Sequence, residues 1–125
     1  MAITNNTFNV VNPPIEGNNW AVSVYSANAS GGEDIKAAES GKSHYVRKLI
    51  IATQSVSDLT VDIGSGQDTG ITTIHLGPIP MPDAGGSITI DFGDDKMLKC
   101  TAGASLAVDT SAECPIWIYA EGKTA

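Results

Sequence analysis

From about Gly41 to the C-terminus, apolar residues fall at every second position in short runs, and each run closes on Gly, Asp, Ser or Pro. That period belongs to a strand with one wet face, because successive side chains on extended backbone point to opposite sides. Leu59, Val61 and Ile63 alternate with Thr60 and Asp62, and Ile88, Ile90 and Phe92 alternate with Thr89 and Asp91. The runs read as strands over 20–27, 34–38, 44–53, 58–63, 71–76, 87–92, 97–101, 105–109 and 115–120. Turn chemistry is strongest at Ser30-Gly31-Gly32, Gly64-Ser65-Gly66, the Pro- and Gly-rich stretch 78–86 and Gly93-Asp94-Asp95. Closely spaced strands with such punctuation predict an all-β fold, a compact antiparallel β-sandwich of jelly-roll-like character. No segment has a convincing helical stripe, although 33–40 leaves room for a single helical turn.

The first 19 residues differ from the rest. Asn5, Asn6, Asn9, Asn12, Asn18 and Asn19 crowd together with Pro13-Pro14, and only Phe8, Asn9, Val10 and Val11 could make a short strand. The division expected is an extended N-terminal arm over 1–19 and one sandwich domain over 20–125. The arm either pairs with its own sheet or lies on another chain, which makes Phe8, Val10 and Val11 candidate contact residues.

Composition bounds function. A chain of 125 residues with 42% hydrophobic and 17% charged residues buries one core. No apolar run approaches the ~18 residues of a membrane-spanning helix. The opening Met1-Ala2-Ile3-Thr4-Asn5-Asn6 lacks the basic and apolar blocks of a secretory signal, so folding in a cytoplasm is expected. A net charge of −7 repels nucleic acid, whose affinity comes mostly from Lys and Arg neutralising phosphates. The basic cluster Lys42, His44, Arg47 and Lys48 reads as a solvated edge or as the complement of an acidic neighbour.

Chemistry-bearing constellations are sparse. His44 and His75, expected at the surface or in an interface, offer at most one general base each. Gly103-Ala104-Ser105-Leu106-Ala107 lacks the second glycine and the following helix of a nucleophile elbow. Gly41-Lys42-Ser43 matches only the tail of a phosphate loop and runs straight into a strand. Asp91, Asp94 and Asp95, and Asp58, Asp62 and Asp68, fit solvated turns better than any calcium-loop spacing. Cys100 and Cys114 share the parity of core residues. They read as two small buried hydrophobes, with a disulfide between paired strands as the alternative, and no further Cys or His completes a zinc set. No catalytic residue, cofactor or metal is therefore expected. In the last strand Ile116 and Ile118 take the core parity, which sends Trp117 and Tyr119 together to the opposite face. That pair marks a subunit or partner contact, a covered second layer, or a sugar-stacking platform.

The segment Gly41-Lys42-Ser43-His44-Tyr45-Val46-Arg47-Lys48-Leu49-Ile50-Ile51-Ala52-Thr53, followed by Asp58-Leu59-Thr60-Val61-Asp62-Ile63, resembles a recurring strand-turn-strand element of tailed-phage virion proteins. Ser87-Ile88-Thr89-Ile90-Asp91-Phe92, the stretch from Met97 to Leu106 and Pro115-Ile116-Trp117-Ile118-Tyr119-Ala120-Glu121-Gly122 resemble the closing strands of small jelly-roll head decoration, or cement, proteins. The resemblance covers about two-thirds of the chain. It implies a non-enzymatic virion protein on the capsid exterior, bound to the major capsid protein, often as a homotrimer, with no nucleic acid or membrane as partner. Phe8, Val10, Val11, Trp117 and Tyr119 are then the candidate capsid or subunit contacts. A tail or fibre accessory module, and a carbohydrate-binding module built on Trp117 and Tyr119, are the competing expectations.

Overall fold

The computed structural model describes residues 10–54, 57–67 and 70–125. Two long strands dominate it: β2, Asn18–Lys36, and β8, Ser105–Thr124, paired antiparallel along most of their length. Drawn straight, the 20 residues of β8 would reach about 65 Å, whereas a domain of this size has a radius of gyration of about 14 Å. The strand must therefore bend. On the side away from β2, residues 105–110 of β8 pair with β4 (Thr60–Gln67), and residues 116–124 pair with β3 (His44–Thr53). The bend falls between these two ladders. β2 follows it through register shifts between Ser26 and Ala29 and between Ala29 and Gly31, the bulges by which a strand turns without ending.

Two layers grow from this bent pair. In the first, β3 carries β6 (Gly86–Asp91) and β7 (Met97–Lys99), and β7 carries β1 (Val10–Val11). In the second, β4 carries β5 (Gly70–Pro80). Every ladder is antiparallel, so the fold is an all-β curled sheet whose halves close on one core. Leu49 and Ile51 of β3 with Ile116 and Ile118 of β8 supply one side, and Val61 and Ile63 of β4 with Leu106 and Val108 of β8 the other. Each such side chain contributes roughly 1.5–3 kcal/mol by leaving water.

The structure corrects the sequence reading wherever a turn composition lies inside a strand. The expected strands 20–27 and 34–38 fall on one strand that ends at Lys36, and 105–109 and 115–120 fall on another. Glu33 to Lys36 is the end of β2, with no helical turn. Gly64-Ser65-Gly66 lies within β4. A β-carbon at Gly64 would overlap the Thr73 carbonyl oxygen, and one at Gly66 that of Gly70, so these glycines permit a close approach by β5 rather than a turn. β5 also takes in Pro78 and Pro80, which an edge strand paired only with β4 tolerates. Asn18 and Asn19, assigned to the arm, open β2 opposite Thr124 and Lys123.

Candidate functional site

The outer face of the first layer is a surface four strands wide, β2–β8–β3–β6. Its register is set by β8, whose alternation puts Ile116, Ile118 and Ala120 into the core and Trp117, Tyr119 and Glu121 outside. Tyr25 and Ala52 stand opposite Trp117; Ser23 and Ile50 stand opposite Tyr119; Ala21 and Lys48 stand opposite Glu121. β6 adds Ser87, Thr89 and Asp91 beside Ala52, Ile50 and Lys48.

Trp117 and Tyr119 share this face but not its exposure. Trp117 is 36% exposed, and its indole Nε1 donates to Ser23 Oγ at 2.8 Å, which fixes the plane of the ring. Tyr119 is half-buried, and its hydroxyl donates to Glu121 Oε1 at 3.3 Å. Burial first, and the Glu121 carboxylate second, hold its phenol above the ordinary pKa. The aromatic partner of Trp117 is instead Tyr25, 65% exposed and directly across the ladder. Tyr25 escapes a reading of one strand at a time, because only the β2–β8 register brings it beside Trp117. Its own signal is the alternation Ala21, Ser23, Tyr25 against Trp20, Val22, Val24.

Below the aromatic pair the surface is polar. A register shift between Val46 and Lys48 leaves Arg47 out of the β8 ladder, and its guanidinium takes Glu121 Oε2 through Nε at 3.0 Å and Nη2 at 2.6 Å, with Asp94 at 3.5 Å. The hydrogen bond to Glu121 is the main reason the Arg47 pKa lies above its usual value. Part of the basic cluster therefore has its acidic complement within the chain. Asp91 caps its own turn by accepting from Gly93 N at 2.8 Å. Among the described residues no three His, Cys, Asp or Glu side chains stand together as a metal set.

Of the arm residues, Phe8 lies outside the described residues. Val10 and Val11 pair with Leu98 and Met97 of β7, so this part of the arm belongs to the chain's own sheet. The following segment is held by Lys123 Nζ, which donates to Pro14 O at 2.9 Å and Ile15 O at 3.1 Å, while the Ile15 side chain is 97% exposed.

Both histidines, expected at the surface or in an interface, are buried within the chain's own fold. His44 Nε2 donates to Ala37 O at 2.8 Å, which leaves Nδ1 to accept from the Thr124 hydroxyl at 2.7 Å, and Trp20 meets the ring edge-on at 6.0 Å. Burial lowers the His44 pKa, so the neutral ring is the native form. His75 Nε2 lies 2.7 Å from Ser65 Oγ, which also accepts from Thr101 N at 2.8 Å and so ties β4 and β5 to the end of β7 in the other layer. No disulfide forms: Cys100 and Cys114 are free and buried. The strands explain it, since β7 pairs with β1 and β3, whereas Cys114 stands opposite Ala29 of β2. Burial pushes the Cys100 thiol up to about 12, so it stays protonated and inert.

No protein-family model matches the sequence, and no curated protein matches it. Among solved structures, the chain is similar to dTDP-4-dehydrorhamnose 3,5-epimerase from Bacillus anthracis at 14% identity and a TM-score of 0.33, over 96% of this chain. It spans only 55% of the epimerase chain. It is also similar to the coat protein of Tobacco streak virus at 16% identity and a TM-score of 0.34, over 88% of this chain and 89% of the coat protein.

Proposed function

We propose that the chain is a non-enzymatic virion structural protein that binds the exterior of a phage capsid as a homotrimer and reinforces the shell. The strand-by-strand resemblance to head decoration proteins supports the class. The observation that carries the mode of attachment is the rooting of the N-terminal segment. Val10 and Val11 are paired into the edge of the first layer, and Lys123 holds Pro14 and Ile15, so the chain is anchored to the sheet at Val10. Phe8 lies two residues before Val10 in the sequence. An apolar side chain on such a root contacts the major capsid protein or a sister subunit without the entropy cost of ordering the whole arm. Ile50 and Tyr119, on the outer face, provide further area for the same contact. Several copies, each bridging neighbouring capsomers, would sum modest contacts into strong cohesion, and a closed symmetric oligomer multiplies the effect.

Co-sedimentation with DNA-filled heads lacking the protein tests the reading. The full chain should bind saturably, and a chain lacking residues 1–9, which keeps β1, should bind much more weakly. Failure of both forms to sediment with heads overturns the capsid role and moves the search to tails and fibres.

A further inference from the structure

At the far end of the same face, the geometry points to a second site: we infer that the groove beside Tyr25 and Trp117 binds a neutral saccharide, one sugar ring at a time. Val10 and Trp117 stand at the levels of Val46 and Ala52 on β3, six residues or about 20 Å apart, so the groove is separate from the arm's root.

The groove has a volume of about 180 Å³, and Tyr25, Ala52, Thr53, Gln54, Pro115 and Trp117 line it. That is below the roughly 300–1,000 Å³ of pockets for drug-sized ligands, which limits the occupant to a small, compact unit. Two aromatic side chains from directly opposed strand positions line it, and the Ser23 bond holds the Trp117 ring so that stacking costs little ordering. The polar groups are uncharged. Gln54 presents an exposed carboxamide while its backbone N–H donates to Pro115 O at 3.3 Å, which steadies the rim. Thr53 pairs with the core residue Ile116 and its Oγ1 is closed to solvent, so Gln54 carries the polar side-chain contact.

A pyranose matches this chemistry: an apolar C–H face to lie on the aromatic side chains, and equatorial hydroxyls at its edge for the Gln54 carboxamide. Charge selects among saccharides. Among the described residues no Asp, Glu, Lys, Arg or His lines the groove, and the net charge of −7 repels uronate, sialate and phosphate groups. A site this small binds weakly alone, and repeated copies on a shell would supply the avidity.

The two tryptophans make the test direct, since Trp117 borders the groove and Trp20 packs on His44. Titrating the full chain with maltoheptaose, cellohexaose, chitohexaose and mannohexaose, and with polygalacturonate as the anionic counterpart, should shift the Trp117 indole resonance with at least one neutral oligosaccharide. The Trp20 resonance and the anionic titration should stay still. Tyr25→Ala, at an exposed position that leaves the core intact, should weaken that binding about tenfold, and Gln54→Ala should weaken it as well. No Trp117 shift with any neutral probe, an equal response to polygalacturonate, or unchanged affinity in Tyr25→Ala overturns the inference. Loss of head binding by Tyr25→Ala without loss of sugar shifts would do the same, because the face would then be a protein contact.

Discussion

Asp62 stands directly opposite Asp109 across the β4–β8 ladder, and its Oδ1 is buried without a hydrogen-bond partner. Burial first, and the Asp109 charge second, raise its pKa above the ordinary 3.8. A carboxyl whose folded pKa is raised prefers its proton in the native state, so it costs nothing below pH 3.8 and destabilises increasingly as pH rises through that value to the folded one. Asp62→Asn should therefore raise the thermal midpoint at neutral pH, and the gain should vanish in acid. An equal or lower midpoint at pH 7 would show that the carboxylate has compensating partners. The histidines and the aromatic pair show why single side chains were the hardest level to read. His44 opens a strand covered on both sides, where three successive residues are buried and alternation gives no signal. Trp117 was legible as an outward residue from Ile116 and Ile118 alone, but its partner Tyr25 lies 92 residues away (117 − 25) and is fixed only by register.

Elements were legible where one strand has one wet face. The reading 44–53 coincides with β3, and Leu59, Val61 and Ile63 are all at or below 1% exposure as their parity requires. Elements failed at glycine, because a turn and a bulged or closely packed strand use the same residues. Ser30-Gly31-Gly32 reads as a turn, yet β2 continues through it because β8 runs alongside. Gly64 and Gly70, in adjacent strands, separate the two meanings. An Ala at Gly64 would press on the Thr73 carbonyl and force β5 away, costing about 1–3 kcal/mol. At Gly70 a β-carbon meets nothing within 4 Å and φ is not positive, so Ala only removes backbone entropy from the unfolded chain and should stabilise by about 0.5–1 kcal/mol. Urea denaturation of the two variants should move the midpoint in opposite directions. Equal shifts would mean that the β4–β5 approach is looser than the backbone indicates.

At the scale of the molecule, β2 and β8 belong to both layers, which makes the two halves of the sheet one mechanical and thermodynamic body. The second-layer pair β4–β5 is held by residues 105–110 of β8, the same strand whose residues 116–124 hold β3 in the first. The core repeats the point, since side chains of β3 and β4 meet over residues contributed by the two ends of a single strand. The proposed shell-reinforcing role would need this property, because a clamp that yields layer by layer transmits little force between the subunits it bridges. The consequence is testable because both tryptophans, Trp20 and Trp117, lie in the first layer. Leu106, fully buried and paired with Ser65, lies in the second. Leu106→Ala should cost about 2–5 kcal/mol, and the loss should appear equally in tryptophan emission and in far-ultraviolet circular dichroism, with one shared midpoint. If the emission midpoint stays at its wild-type value while the dichroism shifts, the layers unfold separately, and the shared strands act as a flexible joint rather than as a frame.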